Sequence, residues 1–217
     1  MDKFVIKGGK KLSGSVKVSG SKNSSLALMP ACILSSGKSI LKNTPELNDV
    51  FTMSKLLKHI GAEIKFENEV LEIDSSGVND FTAPYEHVKK MRASIYVLGP
   101  LLARFGNAKV SLPGGCAWGP RPVNLHIEAM KKLGANIDLV DGYIIAESKK
   151  LKASKINFDV SSVGATGNAI MAATLANLWR PSGSRECHHD TYRRDDRSAA
   201  EHQYFFYLSQ PFLKPFF

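Results

Sequence analysis

The sequence predicts an α/β protein assembled from a repeated strand–helix unit, and three observations predict it. First, Leu57-Lys58-His59-Ile60-Gly61-Ala62-Glu63-Ile64 returns 73 residues later as Met130-Lys131-Lys132-Leu133-Gly134-Ala135-Asn136-Ile137. In both copies an amphipathic helix stops at a glycine, which adopts the left-handed cap conformation cheaply, and a strand follows. Second, each copy is preceded by a helix of small and apolar residues, 24–34 and 92–103, then by a strand after a glycine, 38–41 and 109–112. Third, each copy ends in another short strand across a turn, 70–73 and 143–145.

The shared order is helix, strand, helix, strand, strand. With a leading strand at 15–18 in the first copy, the unit reads βαβαββ. A third copy begins with a leading strand at 156–160 and a small-residue helix at 165–176. It then stops at Asn177-Leu178-Trp179-Arg180-Pro181, which resembles nothing in the other copies. The last 41 residues carry nine aromatics against ten in the preceding 176, and arginine replaces lysine as the usual base. Repeat and base usage fail together near Ala176, which favours a reading-frame change or a misplaced gene end. A natural aromatic or docking tail is the alternative.

Composition narrows the function classes. At 217 residues the chain has length for a large core, and its net charge is +9. The lysines are dispersed and form no basic stripe with interleaved aromatics, so nucleic-acid binding is weakly supported. A surface that attracts phosphorylated metabolites explains the balance equally well. Cys32, Cys116 and Cys187 make no even disulfide framework and show no metal-ligand spacing. Cys32 falls in an apolar helix and reads as core, whereas Cys187, His188 and His189 sit in the aperiodic tail. No metal or cofactor is expected. The start of the chain lacks a signal-peptide core and no apolar run approaches about twenty residues, so no membrane span and a cytoplasmic location are expected.

The candidate chemistry begins at Pro113-Gly114-Gly115-Cys116-Ala117-Trp118-Gly119-Pro120-Arg121-Pro122. Glycines flank a thiol in a loop, and Arg121 and Pro122 stand where a helix begins. A thiol beside a cation and a helix start ionises below the value of about 8.5 for a free one. Only three arginines precede Ala176: Arg92, Arg104 and Arg121. Arg92 opens the small-residue helix of the second copy, where a bidentate anion contact is easy. Lys22-Asn23 opens the helix of the first copy. Ser161-Ser162-Val163-Gly164-Ala165-Thr166-Gly167-Asn168 opens that of the third. Helix starts present unpaired amides and a positive dipole end. If the units pack around an axis, three equivalent starts predict one shared anion site. Surface lysine, surface arginine and buried inert thiol remain the ordinary alternatives for Lys22, Arg92 and Cys116. His126, on the helix after the loop, reads as a packed residue.

Taken together, Lys22-Asn23, Arg92-Ala93-Ser94, Pro113-Gly114-Gly115-Cys116, Arg121-Pro122-Val123-Asn124-Leu125-His126 and Ser162-Val163-Gly164-Ala165-Thr166 resemble the UDP-N-acetylglucosamine 1-carboxyvinyltransferase family of enolpyruvyl transferases. The resemblance runs from about Phe4 to Ala176 and covers well under half of a full-length member. It implies an inside-out α/β barrel of the repeated units, helices central and sheets outside. It also implies a domain map: residues 1–21 join a second domain, 22–176 form a partial transferase domain, and 177–217 are an atypical, disordered or frameshifted tail. The implied reaction moves the enolpyruvyl group of phosphoenolpyruvate to the 3-hydroxyl of UDP-N-acetylglucosamine, releasing phosphate, at the start of peptidoglycan precursor synthesis. No metal is implied, and family members are mostly monomeric.

By the same resemblance, Cys116 donates the proton to the enolpyruvyl methylene carbon and is the target of fosfomycin. Lys22 and Asn23 hold phosphoenolpyruvate, and Arg121 helps bind its charge. Arg92, the run Arg121-Pro122-Val123-Asn124-Leu125 and the turn Ser161-Ser162-Val163-Gly164 line the nucleotide-sugar site. Asn124 departs from the aspartate that many members carry. The family's later sequence, with its aspartate base, is absent here, so the 217-residue chain is expected to be inactive alone. A non-catalytic nucleotide-sugar-binding fragment is a second reading, and the shikimate-pathway sibling, which lacks the Gly-Gly-Cys loop, is a third.

Overall fold

A computed structural model describes residues 3–89, 91–113, 123–177 and 208–209. The first unit runs α1 (Lys22–Ala31), a 3-10 turn (Cys32–Leu34), β1 (Lys38–Leu41), α2 (Asn48–His59), β2 (Glu63–Glu67) and β3 (Val70–Asp74). The second runs β4 (Thr82–Ala83), α3 (Tyr85–Val88), a 3-10 helix (Arg92–Val97), α4 (Leu98–Phe105), β5 (Asn107–Ser111), α5 (Asn124–Lys132), β6 (Asn136–Val140) and β7 (Tyr143–Glu147). The third contributes β8 (Ile156–Asn157) and α6 (Val163–Ala173). Within the tail, β9 (Leu208–Ser209) pairs in parallel with β8.

The two full units are built alike. Each unit threads its last strand between two earlier ones, β1-β3-β2 and β5-β7-β6, all antiparallel, and in the second sheet β4 adds to the β5 edge in parallel. The hairpins close on two-residue turns with positive φ, Asn68-Glu69 and Asp141-Gly142, the geometry that matches strand twist. The helix ends correspond bond for bond. Ala62 N donates to Leu57 O at 2.9 Å and Ala135 N to Met130 O at 3.0 Å, around Gly61 and Gly134 at φ +104° and +89°. Likewise Ser75 N donates to Gly37 O at 3.1 Å, and Ser148 N to Gly106 O at 2.8 Å.

Helices fill the interior and sheets form the outer wall. The central strands turn Leu71, Ile73, Ile144 and Ala146 inward, each fully buried. In the middle, α4 packs on α6, and the 3-10 helix touches both α1 and α6. Ala165, Ala169 and Ala172 on α6 are buried, and such small side chains let helix backbones approach closely. Cys32 is core, with its thiol donating to Leu28 O at 3.3 Å, and burial pushes its pKa up. Among the described residues no helix is long and apolar enough to cross a membrane.

Two expectations are corrected. Residues 15–18 form no strand, and Val16 and Val18 stay exposed, since this segment pairs with none of the described strands. Leading strands form instead in the second and third units, as β4 and β8. The predicted helix 92–103 is split, with 3-10 geometry up to Val97. Pro100 has no N–H to give the Tyr96 carbonyl, and its ring crowds that position, so a continuous α-helix through this stretch is disfavoured.

Arg104 joins the units. Its Nη1 donates to Ile33 O at 2.8 Å, Ser35 O at 2.9 Å and Ser75 O at 3.1 Å, all in the first unit. Its guanidinium also lies 4.7 Å from the centre of the Phe105 ring. Arg104→Met keeps the stem's packing but removes the charged donor that these three carbonyls share. The expected loss is about 2 kcal/mol of stability, read from the urea midpoint.

Candidate functional site

The chain folds its three anion-suited helix starts toward one another. At α1, Ser21 Oγ accepts from Ser24 N at 3.3 Å, and at α6 Ser162 Oγ accepts from Ala165 N at 3.2 Å. These serine caps serve the third amide of each turn, and no helix carbonyl can serve the first two. The 3-10 helix starts without a side-chain cap at Met91. Its first turn is held instead by Met91 O, which accepts from both Ser94 N and Ser94 Oγ.

A cavity of about 380 Å³ draws on all three starts. Asn23, Ser24, Leu26 and Ala27 come from α1, Ala93 and Tyr96 from the 3-10 helix, and Val163 and Gly164 from α6. Packing units around an axis brings equivalent turns to the same end of the central helices. A larger cavity, about 590 Å³, lies at the other end of α4 between Leu102–Gly106 and Ser148–Lys150. None of the predicted site residues lines it.

Charge around the small cavity is positive but partly spoken for. Lys22 Nζ lies 2.8 Å from Asp49 Oδ2 in the first turn of α2, with both side chains well exposed. Such a pair is weak in water, so an incoming anion can compete for the lysine. Arg92, next to Ala93, is half-buried, and its charge reaches His126 on α5. His126 is buried, and burial first and Arg92 second lower its pKa to about 4. Its Nδ1 is 3.1 Å from Asn168 Nδ2, and its ring meets Tyr96 edge-on at 6.5 Å. A Cβ on Gly164 would lie 3.3 Å from His126 Nε2, so glycine allows this approach.

Of the predicted site residues, Asn23, Val163 and Gly164 line the cavity, and Ser162 caps the helix beside it. Ser161 is exposed just before that cap. Val123 precedes α5, Asn124 is its exposed first residue and Leu125 is half-buried; none of the three lines the cavity. Cys116, Arg121 and Pro122 lie outside the described residues, as do Cys187, His188 and His189. Among the described residues no group of three or more His, Cys, Asp or Glu gathers that could hold a metal ion. Sequence reasoning passed over Tyr96 and the buried role of Asn168. The available signal for Asn168 was one amide in a helix otherwise made of small and apolar residues.

The profile of the EPSP synthase (3-phosphoshikimate 1-carboxyvinyltransferase) family matches residues 6–180. The chain belongs to this family. Among its relatives, the UDP-N-acetylglucosamine 1-carboxyvinyltransferase of Chloroherpeton thalassium is 64% identical over 179 residues, and that of Chlorobium luteolum is 58% identical over the same length. Each comparison takes in 81% of this chain and 42% of the relative. The chain therefore spans less than half the length of the curated relatives it matches. Solved structures agree on the fold. The enolpyruvyl transferase NikO from Streptomyces tendae superposes with a TM-score of 0.65 at 22% identity, over 79% of this chain and 41% of that one. EPSP synthase from Acinetobacter baumannii gives 0.59 at 15% identity, over 80% and 41%. Central helices and outer sheets are thus the inside-out α/β fold of the family, as the resemblance implied.

Proposed function

We propose that this chain carries the first part of a UDP-N-acetylglucosamine 1-carboxyvinyltransferase. The observation that carries the reading is the cavity where Asn23, Ala93 and Val163-Gly164 meet at three helix starts beside Lys22 and Arg92. Unpaired amides, a lysine and an arginine at one end of a helix cluster suit a phosphorylated substrate. The closely similar relatives named for this reaction make phosphoenolpyruvate and UDP-N-acetylglucosamine the substrates of choice.

In the proposed chemistry, the sugar 3-hydroxyl gives its proton to the family's aspartate base and its oxygen adds to C2 of phosphoenolpyruvate, while Cys116 gives a proton to C3. Loss of a C3 proton and of phosphate then restores the double bond, now as the enol ether. Lys22 and Asn23 orient phosphoenolpyruvate, and Arg121 offsets its charge. Arg92, Pro122, Val123, Asn124 and Leu125, with Ser161, Ser162, Val163 and Gly164, hold the nucleotide sugar. The aspartate base of the family lies outside the matched part, so the 217-residue chain is expected to bind but not to turn over. The product would enter peptidoglycan precursor synthesis in a bacterial cytoplasm.

Calorimetry on the 217-residue chain tests this reading. UDP-N-acetylglucosamine is expected to bind, and Arg92→Ala to weaken it about tenfold, the loss of one charge-assisted contact. Fosfomycin is expected to add its mass to Cys116. Absence of nucleotide-sugar binding, or an undiminished affinity in the Arg92 variant, would count against the site. Turnover by this chain alone would overturn the expectation of inactivity.

A further inference from the structure

Asn168 is fully buried on α6 and makes three polar contacts to the second unit. Gly99 N donates to its Oδ1 at 2.9 Å, and its Nδ2 donates to Ile95 O at 3.0 Å. A backbone N–H can only donate and a carbonyl can only accept, so these two bonds fix which end of the amide is which. The remaining contact, Nδ2 to His126 Nδ1 at 3.1 Å, then has a defined direction. The amide donates and the ring nitrogen accepts. An accepting Nδ1 carries no proton, which leaves the single proton of a neutral imidazole on Nε2.

We propose that Asn168 is a positioning residue that holds the His126 ring with its proton on Nε2, against the first turn of α6, and thereby ties the Arg92 helix start to the Ser162–Gly164 start. The Nε2 edge lies beside Gly164, which lines the cavity, and the same amide grips Ile95 and Gly99 on the stretch that follows Arg92. Among the described residues, the other ionisable groups seen to act on or touch the ring are Arg92 and Tyr96, both on the 3-10 helix, and α6 itself carries none. Protonating Nδ1 would set N–H against N–H and place a second cation near Arg92. The fixed positive charge at this corner therefore belongs to Arg92, and His126 contributes a neutral N–H. The role in ligand binding rests on the nucleotide-sugar reading above; the state of the ring does not.

The test is a long-range proton–nitrogen spectrum of the full 217-residue chain labelled with nitrogen-15, with the His126 signals identified by their absence in His126→Gln. The expected result is one neutral form with the proton on Nε2, unchanged between pH 8 and 5.5. In Asn168→Asp the carboxylate can accept but not donate. The proton is then expected to move to Nδ1, and the ring to titrate at a clearly higher pH than in the wild type. A proton on Nδ1 in the wild-type chain, or an ordinary titration near 6.5, overturns the proposal even if the variant does not fold. In parallel, UDP-N-acetylglucosamine affinity of the wild-type chain is expected to change less than about twofold between pH 8 and 6, since no charge at His126 changes there. If that ligand fails to bind at any pH, the functional reading falls, while the ring spectrum still decides the role of Asn168.

Discussion

Acidification from pH 6.5 to 4 is expected to remove about 3 kcal/mol of folding stability through His126 alone. The group titrates near 6.5 in the unfolded chain and at about 4 in the folded one. Between those values the unfolded chain holds more protons, so each step down in pH favours it. Above pH 6.5 the folded state carries no penalty from this group. The loss grows through the window and levels off below pH 4. The cause is burial first, which disfavours a charged ring, and then the nearby positive charge of Arg92. Carboxylates also protonate in this range, so the measurement is a difference. Urea unfolding of wild type and His126→Gln at pH 7 and pH 4.5 isolates the contribution of His126. The variant is expected to lose about 2–3 kcal/mol less than the wild type on acidification. Parallel losses in the two proteins would show that His126 titrates normally.

Gly99→Ala is expected to destabilise the fold by about 3 kcal/mol, against the gain of about 1 kcal/mol that glycine-to-alanine brings in an open helix. An added Cβ would overlap Asn168 Oδ1 and stand 2.6 Å from the Asn168 carbonyl oxygen and 3.3 Å from Ala172 N. Two of those contacts are backbone of α6, which cannot rotate away. The helices would have to separate, loosening the bond from Gly99 N to Asn168 as well. Gly134→Ala supplies the control. Its Cβ meets nothing within 4 Å, and only the left-handed conformation at φ +89° opposes it. A cost of about 1 kcal/mol is expected there. Equal midpoints for the two variants in urea would remove the case for close packing between α4 and α6.

What could be read from the chain beforehand was what depends on neighbours in sequence. The helix stops at Gly61 and Gly134 were legible because the cap glycine and the apolar period lie within one turn of each other. The strand predicted at 38–41 is β1, residue for residue. The meeting of Asn23, Ala93 and Val163 followed from treating the helix starts as equivalent, which is a statement about the repeat. Pro100 lay in plain view, yet the apolar run around it outweighed its effect on the preceding turn. Contacts across the fold were not legible. The bonds of Asn168 link positions 42, 69 and 73 residues apart, and the pairing of Lys22 with Asp49 depends on how α2 lies against α1. Periodicity says which face of a helix is apolar. It does not say which polar group on another helix will be waiting there.

The reach of Arg104 into the first unit bears on how the protein comes apart. Repeat modules with only local contacts melt piecemeal, each at its own temperature. Here a single guanidinium of the second module closes the end of the first, donating at once to the carbonyls of Ile33, Ser35 and Ser75. Neither module can open alone without breaking that clasp. The two sheets, though built as separate copies, are thereby joined into one cooperative unit.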